Sequence, residues 1–313
     1  MAIIKPNEMD FSSKKFSLII SGSPGVGKTT LALSAPNPIL IDFDRGVSRV
    51  QAKHRKLTIS AATYEEVLKD MESNEVKQAE TIIIDTGGSF TTYLQDWAMR
   101  SNPAANKQKN ANVISQKGFG AVKAEFQRFT NHLQYVMQKN IIYIFHTVEE
   151  KKDDILVQRL MCEGSARNIV WQPCDLGCYL YMYGNERIAG FSPTDQYNAK
   201  GTHGIKGIKN VPTLENDADN NYLTKLFESA KEYIAEESKY FEAENEEYKK
   251  AIAEGELIVK AVIDADSALK ATDSMSQIAH ALTSKKEIRA MFVKKIKDIG
   301  LKFDKAANAY VSI

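Results

Sequence analysis

Eight residues near the start of the chain limit its fold more than any others: Gly22-Ser23-Pro24-Gly25-Val26-Gly27-Lys28-Thr29. The string satisfies G-x-x-x-x-G-K-[ST], whose meaning depends on its setting. An apolar run, Phe16 to Ile20, precedes it, and a helix-like segment, Thr29 to Ser34, follows. Strand, glycine loop, helix is the context in which such a string cradles phosphate. Gly22, Gly25 and Gly27 let the backbone curl until several N–H groups point inward, and the helix adds the positive end of its dipole. Lys28 is then placed for the β- and γ-phosphates, and the Thr29 hydroxyl for Mg²⁺. Ser23, Pro24 and Val26 complete the nest. Thr30 is either a further neighbour of the nest or simply a helix residue.

Two later runs read as buried strands that end in acid. Ile39-Leu40-Ile41-Asp42-Phe43-Asp44 closes in two carboxylates, and Thr81-Ile82-Ile83-Ile84-Asp85 in one. In parallel α/β sheets the strand tips lie beside the phosphate loop. Asp85 is therefore expected to hold Mg²⁺, directly or through water. Asp42 or Asp44 could take a proton from an attacking water, or both could be solvent-facing turn carboxylates. Ile141 to His146 is a further buried strand, and His146 at its tip is either a γ-phosphate sensor or a structural histidine.

Composition narrows the partners. With 313 residues and a net charge of +1, the chain has no global field to select a polyanion, so any nucleic-acid surface must be local. No apolar run approaches a membrane span, and MAIIKPNEMD lacks the long apolar core of a signal peptide, so a cytoplasmic protein is expected. Cys162, Cys174 and Cys178 are too few and too oddly spaced for a disulfide framework and read as buried thiols.

Residues 101 to 120 carry no apolar period and read as a mobile loop. Lys107, Lys109 and Lys117, with Phe119 between two glycines, bring amines and a ring, which suits single-stranded nucleic acid as well as a solvated loop. Glu149 to Asp154, with Lys151 and Lys152, reads as a second surface loop. Val122 to Gln138 has helical spacing, and Leu176 to Tyr183 with Glu186 to Phe191 reads as a hairpin around Gly184-Asn185. Lys200, in a glycine-rich loop, could reach a phosphate of a neighbouring subunit or face solvent. Ile3 and Ile4 read as a docking strand or a loose terminus.

Composition shifts near Pro212. The expected organisation is an α/β core over 1–212, an acidic helical linker over 213–256 and a small, mainly helical domain over 257–313. Ala261 to Leu269, Met275 to Leu282 and Ile288 to Ile299 are expected as short helices, with a hairpin at the C-terminus.

No N-K-x-D guanine reader and no L-S-G-G-Q signature is present, and the later loops favour lysine over the arginines of a kinase lid. The order of parts resembles the RecA-type recombinase core. Within it the chain is similar to the compact phage kind, the Sak-group single-strand annealing ATPases. The resemblance rests on Ile41-Asp42-Phe43-Asp44-Arg45-Gly46, Asp85-Thr86, Gly118-Phe119-Gly120, Phe145-His146-Thr147 and Ala199-Lys200, and covers about residues 14 to 210. It implies a mostly parallel sheet flanked by helices, with antiparallel strands at one edge. It places Asp44 at the water-directing carboxylate, where the family usually has Glu, and His146 where it often has Gln. It makes 101–120 and 147–168 the two DNA loops and Lys200 a lysine finger acting across a subunit interface. It further implies ATP and Mg²⁺ as ligands, single-stranded DNA as partner, a filament or ring, and a phage protein working in the host cytoplasm.

The leading expectation is thus an ATP-dependent, DNA-stimulated recombinase or annealing protein. Its rivals are a P-loop ATPase whose C-terminal domain recruits a protein, such as a single-strand-binding protein, and a binding protein that holds ATP without useful turnover.

Overall fold

The computed structural model describes residues 11, 13–152, 154–162, 170–214, 219–304, 306–307 and 309–312. The docking strand expected at Ile3 and Ile4, and part of the expected loop 147–168, lie outside them. The chain divides into two compact units, one spanning Ser12–Tyr233 and one built on Ile234–Ile313.

The first unit is organised by short runs of β-branched and aliphatic residues that are buried on both faces, the pattern of a parallel sheet covered by helices. β1 (Ser17–Gly22), β2 (Pro38–Asp42) and β4 (Thr81–Asp85) are buried along their whole length. With β3 (Thr58–Ile59), β5 (Asn140–Lys152), β6 (Ile155–Leu160), β7 (Leu176–Tyr183), β8 (Glu186–Gly190) and β9 (Ile208–Val211) they form a nine-stranded sheet. The order is β3-β2-β4-β5-β1-β7-β8-β9, with β6 paired to β5. The strands from β3 to β7 run parallel, whereas β8 and β9 add antiparallel strands at one edge. The α/β class and the antiparallel edge match what the strand runs imply. β5 lies between β1 and β4, so the strand tipped by Asp85 does not touch the strand that feeds the phosphate loop.

Helices α1 (Lys28–Ala32), α2 (Tyr64–Asp70), α3 (Asn74–Gln78), α4 (Gly87–Ser101), α5 (Pro103–Asn106) and α6 (Gln116–Asn131) connect these strands. The Thr63 hydroxyl caps α2 by accepting from Glu66 N, while the Glu66 carboxylate accepts from Ala62 N. The box therefore closes one residue earlier than its usual reciprocal form. An aromatic cluster binds α4 and α6 to the sheet: Phe90 lies 5.0 Å from Phe43 and 5.2 Å from Phe129, centroid to centroid.

Three expected segments come out differently. The loop expected over 101–120 is shorter, because Ser115 caps α6 by accepting from Gly118 N, so Lys117 and Phe119 sit on its first turn. The surface loop expected over Glu149 to Asp154 is an extension of β5, hydrogen-bonded in register to β6 from Thr147↔Leu160 to Lys152↔Ile155. Thr86 caps α4 through Ser89 N, so Gly87 and Gly88 belong to that helix and not to a turn before it.

Helix α7 (Tyr222–Lys260) begins in the first unit. Leu223, Leu226, Phe227 and Ala230 are buried there, and Phe227 packs 5.2 Å from Phe16. The second unit continues through α8 (Ala265–Ser276), α9 (Ser284–Asp298) and a hairpin of β10 (Leu301–Asp304) with β11 (Ala309–Ser312). It has its own core, including Val262, Ala268, Phe292 and Ile296. The helix expected over Met275 to Leu282 is absent, since α8 stops at Ser276 and Leu282 takes a positive φ of 50°. The three cysteines are free and buried. No helix among the described residues is long and apolar enough to cross a membrane.

Candidate nucleotide site

The strand tips bring the chemistry together. In the β1–β5 register Gly22 faces His146, and in the β2–β4 register Asp42 faces Asp85. The phosphate loop and both acid-tipped strands thus end along one side of the sheet, level with His146, which lies within β5 and not at its tip as expected, because the strand runs on to Lys152 in its pairing with β6.

The loop turns into α1 at Gly27, which has φ 90° and ψ 24°, a left-handed conformation that a side chain would strain. A Cβ there would also stand 3.0 Å from Arg187 Nε. A Cβ on Gly22 would stand 2.3 Å from the Leu180 carbonyl oxygen, so the first glycine is required by the close pass of β7.

Lys28 is buried, and its ammonium donates to Gly22 O at 2.9 Å and Ser23 O at 2.8 Å and meets His146 Nδ1 at 3.1 Å. Accepting at Nδ1 leaves the imidazole proton on Nε2, which lies 3.6 Å from Asp44 Oδ2. Asp44 also accepts from Thr86 Oγ1 at 3.2 Å and from Ser89 Oγ. His146 therefore links the amine on the phosphate side to a carboxylate on the far side. Its neighbour Asp42 is used up by the chain itself, accepting from Gly46 N and Val47 N at 2.9 Å each. Of the two strand-end carboxylates, Asp44 is the one that lies beside His146. On the metal side, Thr29 Oγ1 donates to Asp85 Oδ2 at 2.6 Å.

The electrostatics follow from burial and partners. Burial pushes the Lys28 amine down to about 8, against the pull of Asp85 and Asp44. Burial likewise pushes the Asp85 carboxyl up to about 6, with the Thr29 hydroxyl opposing and Asp44 reinforcing it. Asp44 goes the other way, to about 2, chiefly through the His146 imidazole and then through Ser89 and Thr86. Two carboxylates of one site are thus held at opposite ends of the carboxylate range.

A family model described as an AAA domain matches residues 14–203, more than half of the chain. The chain belongs to this AAA-domain family. It is accordingly a P-loop NTPase, and the loop, Asp85 and the sheet edge all lie within the matched span. No curated protein matches the chain.

Family members of this kind bind a nucleotide with Mg²⁺, and the residues present fit that pair. Lys28 is a buried amine whose hydrogen-bond partners are two backbone carbonyls and an imidazole, not a carboxylate. The hydroxyl of Thr29 and the carboxylate of Asp85 are hard oxygen donors already side by side.

Arg187 is a site residue that its sequence position does not reveal. It stands on β8 and donates from Nε to Val26 O at 2.7 Å, so its guanidinium lies against the phosphate loop. Its only signal is position after the fact, on an edge strand that happens to pass the loop. Thr30 and Arg187 line a cavity of about 500 Å³ beside Gly25 and Gly27, together with His54, Tyr222 and Lys225.

The remaining predicted residues lie apart from this cluster. Lys200 pairs through its backbone with Gly177, and its amine donates to Cys174 O, at the end of β1 and β7 away from the loop. It does not reach the nest of its own chain. Lys109, Lys117 and Phe119 are exposed, and Lys107 is half-buried with its backbone bridged to Ile114. Lys151 is exposed near the tip of the β5–β6 hairpin and pairs with Asp154 at 2.7 Å, and Lys152 follows it on the same strand.

Proposed function

We propose that the protein is an ATP-dependent single-stranded-DNA-binding ATPase of the recombinase or annealing kind, working as a filament or ring with ATP held between copies. The observation that carries the catalytic half is the chain Lys28–His146–Asp44 running beside the Thr29–Asp85 pair. Lys28 neutralises the β- and γ-phosphates, and Gly22 to Thr30 supply the nest. Thr29 and Asp85 would hold Mg²⁺, which screens phosphate charge when bound. Asp44, held near 2, is a weak base. It orients the attacking water by accepting a hydrogen bond, which is what a loose, metaphosphate-like transition state requires. His146 senses the γ-phosphate, since it shares Lys28 with it. Lys200, remote from its own nest, serves the nest of the next copy.

Support for the DNA half is local. Lys117 and the 40 % exposed Phe119 offer an amine and a ring on the first turn of α6, and exposed Lys109 lies in the turn before it. Lys107 adds charge near these in sequence, and Lys151 adds charge on β5. The likeness in motif order to the RecA-type core points the same way. The test is a salt titration of binding to a short single strand, read alongside phosphate release. The reading predicts affinity that falls steeply with salt and ATP turnover that rises with DNA. Turnover indifferent to DNA, with binding flat in salt, would favour an ATPase that acts through a protein partner instead.

A further inference from the structure

The second unit contains a hollow of about 660 Å³ walled by α8, α9 and the β10–β11 hairpin. Its floor is aliphatic and aromatic: Ile288, Phe292, Ile296 and Leu301 are buried beneath it. Val293 and Phe303 remain 46 % and 45 % exposed at its mouth, which leaves apolar surface without a cover among the described residues.

The rim is of one sign. Lys285, Arg289 and Lys297 lie on one i, i+4 ridge of α9, with Val293 at its remaining position, next to the buried ridge Ile288, Phe292, Ile296. Lys302 faces them from β10. All four are exposed, none of the residues lining the hollow is acidic, and among the described residues none of the four is paired with a carboxylate. An apolar seat ringed by unpaired cations is complementary to one kind of ligand: an acidic segment carrying bulky apolar side chains. A nucleic-acid strand fits less well, because a base has polar edges and the floor offers it branched aliphatics.

We propose that this hollow is a docking site for an acidic peptide segment of a partner protein, with an aromatic or aliphatic anchor on the floor and its carboxylates on Lys285, Arg289, Lys297 and Lys302. The site lies wholly within the second unit and does not depend on the nucleotide reading.

The experiment is fluorescence polarisation on the full-length protein. The probe is a fluorescein-labelled Asp-Asp-Asp-Phe-Asp-Ile-Phe peptide, with one control carrying Lys for each Asp and another carrying Ser for each apolar residue. The acidic, anchored peptide should bind, and both controls should bind about tenfold more weakly or worse. Arg289→Glu on α9 and Lys302→Glu on β10 should each weaken it by a similar factor. Both positions are exposed, and an unchanged circular dichroism spectrum shows that each variant folds. Failure of the acidic peptide to bind, or equal binding by the Lys control, overturns the proposal. So does equal binding by the two variants, or displacement of the peptide by a short single strand whose own binding both variants abolish.

Discussion

Asp85 shows how one residue of the site trades stability for function. Its carboxyl is raised to about 6 by burial, so the folded protein holds that proton more tightly than the unfolded chain does. Between the usual carboxylate value and about pH 6 the ligand-free protein therefore loses stability as pH rises, and above that the buried charge is present in full. Asp85→Asn should leave the melting temperature at pH 7.5 unchanged or higher, while reducing Mg²⁺-dependent phosphate release about a hundredfold or more. Calorimetric scans and a turnover assay on one preparation read both; a lower melting temperature with normal turnover would refute the assignment. The same titration predicts that nucleotide–Mg²⁺ affinity weakens as pH falls through about 6, since the protonated carboxyl cannot hold the metal. That Lys28, Thr29 and Asp85 lie together at the phosphate loop was legible in the sequence, because each place is set by local spacing, a loop-to-helix step or a strand end. The strand run left Asp42 and Asp44 open and only the family resemblance pointed to Asp44, because the difference between them depends on which backbone N–H groups fold back onto Asp42. Arg187 was invisible, since its contact with Val26 joins residues far apart in the chain. Arg187→Ala should weaken nucleotide binding severalfold in an isothermal titration, with little change in melting temperature.

Among the elements, α4 and α6 hold the acid-tipped strands in place through Phe90, which is fully buried against Phe43, Tyr64, Phe126 and Phe129. Phe90→Ala should cost about 3–5 kcal/mol in chemical denaturation, and a loss under about 1 kcal/mol would mean that the cluster is not packed this way. Strands that announce themselves by continuous apolar runs, β1, β2, β4 and β7, were read at nearly their observed bounds. The outer half of β5 was missed because Val148 to Lys152 has no apolar alternation, its order coming from pairing with β6. The start of α6 was missed because Gly118 and Gly120 weaken a helix in isolation, whereas the Ser115 cap outweighs them. If the segment 107–119 meets DNA, joint replacement of Lys107, Lys109 and Lys117 by Ala should lower single-strand affinity and flatten its salt slope by up to about three charges' worth. Phe119→Ala should lower affinity with the salt slope unchanged. Wild-type binding by both variants in filter assays would remove that segment from the interface.

At the scale of the whole molecule, the AAA-domain match ends at residue 203, inside the first compact unit, so the second unit and its basic-rimmed hollow lie beyond the family's shared part. Function in the first unit turns on the nest between β1 and α1 holding a triphosphate whose hydrolysis depends on Lys28. The direct measurement is phosphate release from ATP with Mg²⁺, with and without a short single strand, for wild type, Lys28→Ala and Asp44→Asn. Wild type should turn over ATP at a rate that DNA raises, and both variants should lose about a hundredfold or more. Equal rates for all three proteins would contradict that role for the nest.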